Sequence, residues 1–150
     1  MNTLIHNLIL IWLGFLLASQ YFTLKFPKSS KVYQNVNQYV GFIGFGTLVF
    51  SIILAFDVIT DLGFVMRFHG VYLFNWLLSL ISLIVIFLTG IILGTDTLAS
   101  FFQNHKESKI LAWFYSVKNK TKAYRNNLGL FMVAYGTFLI IRYTFILFTV

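Results

Sequence analysis

The sequence contains no cysteine. Disulfides, thiolate metal centres and a cysteine nucleophile are therefore excluded. Acidic residues are scarce, with 4 Asp and Glu against 11 Lys and Arg, and Pro27 is the single proline. Charged residues make up 10% of the chain, where a soluble domain has about 25%. The recurrent chemistry-bearing patterns are missing too: there is no glycine-rich phosphate loop, no HExxH, no GxSxG and no carboxylate cluster. No catalytic residue and no metal site follow from what is present. The chain is not expected to be an enzyme by itself, although it can be one subunit of a multi-subunit membrane enzyme.

What is present is hydrocarbon: 59% of the residues are hydrophobic and 18 are phenylalanine. The stretch Val71–Gly94 holds no charge and no proline. A bilayer core is crossed by about 20 apolar residues as helix, and a helix satisfies every backbone polar group within itself, as lipid requires. The expected fold is all-α: an integral membrane protein with four transmembrane helices at about 4–24, 39–61, 71–94 and 127–150 in one domain. Met1–Asn7 carries no Lys or Arg, so the first segment is read as a span and not as a signal peptide. Residues 25–38, with Pro27, form a polar connection. The link 62–70 is short enough to make the second and third spans antiparallel neighbours. Thr95, Asp96 and Thr97 are N-cap residue types and predict a new helix after Gly94. From 98 to 124 apolar and lysine residues alternate, which predicts an amphipathic segment lying in the interface between the third and fourth spans.

Small residues mark faces where helix backbones can approach: Gly14 with Ala18, the group Gly41, Gly44 and Gly46, and the Gly90–Gly94 step. Asn75, Ser79 and Ser82 share a stripe of the third span, suited to interhelical hydrogen bonds.

Basic residues set the orientation. Lys25, Lys28 and Lys31 follow the first span; Lys106, Lys109, Lys118, Lys120, Lys122 and Arg125 follow the third. Only Arg67 and Arg142 lie elsewhere. Both loops are thus expected to face the cytoplasm or matrix, with both termini opposite. This placement accounts for the net charge of +7 without nucleic acid. Both basic loops are also expected to recruit anionic phospholipid such as cardiolipin, at about 1 kcal/mol per basic residue, with Lys106, Lys109, Lys118, Lys120, Lys122 and Arg125 as the candidate headgroup site; the competing reading is that the loops only set orientation.

Arg142 stands inside an apolar span. It lies about 22 Å along its helix from Asn127, and Asp57 about 24 Å along its own from Gly41, so the two fall at similar depth. An intramembrane polar cluster of Asp57, Asp61, Arg67, Asn75 and Arg142 is one reading; outward snorkelling of Arg142 is the other. His6 and His69 begin the first and third spans and are haem-ligand candidates of the kind found in membrane anchors; the competing reading is two interfacial histidines. Asp96 suits a helix cap better than a proton relay.

The function expected from these features is a non-catalytic accessory subunit of a larger membrane complex, of respiratory or other energy-transducing type. It would sit in a mitochondrial or bacterial inner membrane, beside other membrane subunits and lipid. The phenylalanine-rich usage fits an AT-rich coding genome of either origin. The alternatives are a small homo-oligomeric transporter or channel using Asp57 and Arg142, and a haem-binding anchor.

Overall fold

A computed structural model describes residues 3–67, 70–102 and 109–149. Among these residues there is no strand. The helices are α1 (Thr3–Leu17), α2 (Ser19–Lys25), α3 (Ser30–Asn37), α4 (Val40–Val65), α5 (Val71–Phe101), α6 (Lys109–Thr121) and α7 (Arg125–Thr149), with short 3-10 turns at Pro27–Ser29 and Lys122–Tyr124. Among the described residues, three helical stretches are long and apolar enough to cross a membrane: α4, α5 and the run Lys109–Phe145 that contains most of α7. A fourth is added if α1 and α2 count as one span. The chain divides into two compact units: a central unit, Tyr39–Lys120, and a terminal unit, Met1–Gln38 with Thr121–Val150.

In the central unit α4 and α5 form an antiparallel hairpin. The face of α4 bearing Gly44, Thr47, Leu48, Ser51, Leu54 and Val58 is buried, and α5 buries Val85, Ile86 and the continuous run from Thr89 to Thr95. Trp76 Nε1 donates to the Val58 carbonyl at 2.8 Å, and Phe64 meets Tyr72 edge-on at 5.3 Å.

The third span was expected to end at Gly94, with a new helix capped by Thr95, Asp96 and Thr97. Instead α5 continues to Phe101, a length of about 46 Å against about 30 Å of hydrocarbon. Two facts explain the continuation. Thr95 is fully buried and its hydroxyl donates back to the Ile91 carbonyl at 2.5 Å, which supports the helix it sits in. Gly94 is held in helical conformation against α4 and is not free to terminate the helix. Phe101, expected in the interfacial segment, packs on Phe45 at 5.4 Å. The amphipathic piece proper is α6, which buries Leu111 and sets Trp113 6.4 Å from Phe87.

In the terminal unit α1 and α7 pack antiparallel. The first span, expected as one helix over 4–24, is broken at Ala18, where α2 departs from α1 at 70°. The 15 residues of α1 reach about 22 Å. The connection expected over 25–38 is itself ordered. Phe26 leaves the helical region (φ −130°, ψ 82°), as the residue before a proline is pushed to do, Pro27 opens a 3-10 turn, and α3 follows.

Candidate functional site

Two glycine-lined contacts and their polar surroundings are the most specific features of the molecule. In the hairpin, a Cβ added to Gly44 would collide with the backbone of Leu93 and Gly94, and one on Gly94 would come within 2.6 Å of the Gly44 carbonyl carbon. A Cβ on Gly90 would meet Leu48 at 2.9 Å, and one on Gly41 would overlap the Thr97 hydroxyl. Gly46, grouped with these in the sequence, has nothing within 4 Å. It lies on the opposite side of α4 from the buried face, two residues past Gly44, about 200° around the helix.

In the terminal unit, a Cβ on Gly14 would fall 2.7 Å from the Gly129 carbonyl oxygen, and one on Gly129 would fall 2.6 Å from the Ala18 nitrogen. Gly136 meets Ile11 and the Asn7 carbonyl in the same way. Sequence reading missed Gly129 and Gly136. Their seven-residue spacing, two helical turns, was the available signal.

The hydroxyls behave differently from expectation. Ser79 donates to the Asn75 carbonyl at 3.2 Å and Ser82 to the Leu78 carbonyl at 3.0 Å. These are bonds back along α5, where interhelical bonds were anticipated. Buried Thr47, Ser51 and Thr89 do the same on their own helices. Inside an apolar contact the carbonyl one turn back is the nearest acceptor, and it satisfies the hydroxyl without a partner helix. Two asparagines are exceptions: among the described residues, Nδ2 of Asn7, which is 1% exposed, and the buried Oδ1 of Asn126 have no hydrogen-bond partner.

The charged residues divide between the units. Asp57 and Asp61 are exposed one turn apart on α4, Arg67 follows that helix, and exposed Asn75 lies near the start of α5, all in the central unit. Arg142 is half-buried on α7 of the terminal unit. Half-buried His6 lies on α1. His69, His105 and Lys106 lie outside the described residues. Among the described residues no group of three or more His, Cys, Asp or Glu is placed to hold a metal.

Two residues assigned to lipid headgroups have protein partners. Lys118 Nζ contacts Asp96 Oδ2 at 2.5 Å. Asp96, whose expected role was to cap a new helix, lies instead within the last two turns of α5 and ties α6 to it. Arg125 Nε donates to the Leu17 carbonyl at 3.2 Å. Leu17 is the last residue of α1, and the 70° break leaves a helix C-terminus there whose carbonyls need donors. Arg125 supplies one, together with positive charge at the negative end of the helix dipole. Lys109, Lys120 and Lys122 remain exposed.

No known protein family, curated protein or solved structure matches the chain.

Proposed function

We propose that this protein is a non-catalytic subunit of a larger membrane complex, assembling through the outward face of α4. The observation that carries the reading is the composition of that face. Phe42, Gly46, Val49, Ile53 and Phe56 are exposed at the three- and four-residue spacing of a helix-packing stripe, with Ile52 and Ile59 beside them. Gly46 opens a notch within the stripe, where an added Cβ would meet no other part of the described chain within 4 Å. The inner face of α4 already uses glycines at Gly41 and Gly44 to admit a neighbouring helix. A second, unfilled glycine notch flanked by large apolar side chains suits a second helix, since close approach at small residues drives association within lipid. An energy-transducing assembly of a mitochondrial or bacterial inner membrane is the complex we favour. The basic loops would face the matrix or cytoplasm.

Gentle solubilisation followed by sizing and identification of copurifying polypeptides tests this. Co-migration with several other membrane proteins supports it, and a clean homodimer or homotetramer overturns it. Gly46→Leu is expected to release the partners while leaving the chain folded. Orientation is read by labelling Ser30→Cys and Ser116→Cys from each side; reaction from the side of the termini would reverse the assignment.

A further inference from the structure

All four acidic residues, Asp57, Asp61, Asp96 and Glu107, fall within Tyr39–Lys120. The terminal unit contains Lys25, Lys28, Lys31, Lys122, Arg125 and Arg142 and no Asp or Glu at all. Lys25, Lys28 and Lys31 are exposed at every third position of the segment that runs from α2 through the proline turn to α3. Nothing in that unit balances them.

The same segment leaves Leu24, Phe26 and Val32 uncovered. None of the residues of α2, the turn or α3 is buried. Leu24 is 85% exposed, Val32 62% and Phe26 55%. Yet the segment is ordered by its own contacts. The Ser29 hydroxyl donates to the Phe26 carbonyl at 2.7 Å, and the Phe26 amide donates to the Phe22 carbonyl at 2.7 Å. The Lys25 ammonium donates to the Tyr21 hydroxyl at 3.3 Å and lies 5.7 Å from its ring centre. The 70° bend at Ala18 carries the chain from the direction of a helix long enough to enter a bilayer to one nearly across it. A short ordered element that turns across the end of the apolar helix α1, with unburied aromatic and aliphatic groups beside ammonium groups that no carboxylate side chain of the unit balances, suits a surface that offers hydrocarbon and negative charge together. The leaflet of a membrane holding anionic lipid offers both.

We infer that the α2–α3 segment is an interfacial collar that selects anionic phospholipid. Lys25, Lys28 and Lys31 engage headgroup phosphates, and Leu24, Phe26 and Val32 enter the acyl boundary. This collar is distinct from the lysines of α6, one of which is taken by Asp96. The inference rests on the chain spanning a membrane and not on its joining a complex, so copurification of other subunits does not enter the readout.

The test uses the purified full chain in nanodiscs of phosphatidylcholine mixed with phosphatidylglycerol, with retained lipids counted by native mass spectrometry after release. The wild-type chain is expected to retain phosphatidylglycerol selectively. The triple variant Lys25→Gln, Lys28→Gln, Lys31→Gln should lose selectivity by about fivefold per charge, on the order of 100-fold in total. The corresponding triple Arg variant should keep it, and added salt should weaken it. A folded triple Gln variant that still selects phosphatidylglycerol overturns the inference. So does displacement of the lipid by inorganic phosphate where sodium chloride of equal ionic strength has no effect, since that assigns the site to a free anion. Should the triple variant fail to fold, Lys28→Gln against Lys28→Arg gives the same decision on a single charge: a loss of about fivefold for one and none for the other.

Discussion

The two helix pairs are closed by the same device and differ in almost everything else. In the central unit, glycines bring α4 and α5 into backbone contact, the helices are unbroken, the buried hydroxyls are satisfied one turn back, and the acidic residues are all here. In the terminal unit, glycines also bring α1 and α7 into backbone contact, but α1 breaks at Ala18, the buried Asn7 amide has no partner among the described residues, and every charged side chain is basic. The difference separates packing from placement. Small residues suffice to join two helices in either unit. What makes the terminal unit suited to the membrane surface is the break, which turns α2 and α3 aside, together with the absence of carboxylates that would neutralise its lysines.

The comparison can be broken most severely at the hairpin glycines. Gly44→Val or Gly94→Val places side-chain atoms where the other helix's backbone stands. Neither backbone can retreat without separating the pair, so a loss of about 3 kcal/mol or more is expected, at or beyond the usual cost of overpacking. Unfolding in mixed micelles titrated with a denaturing detergent measures it. Gly46→Ala, two residues away and facing open space, should change stability by no more than about 0.5 kcal/mol. Equal effects at Gly44 and Gly46 would show that glycine content and not contact geometry governs α4.

The terminal unit yields two predictions of opposite sign. Arg125→Gln removes a charged donor from the Leu17 carbonyl at the end of α1. It should cost about 1–2 kcal/mol, less than a fully buried charged bond because the guanidinium is only half-buried. The loss should appear as faster hydrogen exchange at the Ala18 break. Asn7→Leu should stabilise by up to about 1 kcal/mol, because it removes a buried donor that no acceptor among the described residues satisfies, a gain that the greater bulk of leucine partly offsets. A destabilised Asn7→Leu variant would show that the amide has an acceptor in the assembled protein.

How far these features were legible in the sequence depends on whether local chemistry or a distant neighbour decides them. The charge-free run from Val71 announces a helix because lipid leaves the backbone no alternative, and the short link after α4 announces the hairpin. The break after Leu17 is different. The residues Leu-Ala-Ser-Gln-Tyr include neither proline nor glycine, so local propensity favours one continuous helix. The features at the break are Gly129, close against Ala18, and Arg125, on the freed carbonyl. Both are more than a hundred residues away along the chain. Thr95-Asp96-Thr97 misled for a related reason. Those residues cap helices where water competes for the backbone, but buried Thr95 bonds its own helix and lets α5 run on. Spacing alone also could not separate Gly44 from Gly46, because a glycine notch reads the same whether filled or empty.

The smallest expected effect lies at the ion pair that holds α6 to α5. Lys118 and Asp96 are close, but the Asp96 side chain is 68% exposed, and water screens a contact of that kind. A double-mutant cycle with Lys118→Gln and Asp96→Asn should give a coupling of about 0.2–1 kcal/mol that shrinks as salt is raised. The buried Leu111 and the Trp113–Phe87 contact involve no charge, so α6 should stay docked in the double variant. That outcome would sharpen the contrast between the units, since the lysines of α6 would add little to docking while those of the α2–α3 segment have no Asp or Glu within their own unit. A coupling well above 1 kcal/mol, unchanged by salt, would instead mean that the pair is shielded from water by lipid or by another chain. The proposed boundary between protein-facing and lipid-facing lysines would then have to move to include α6.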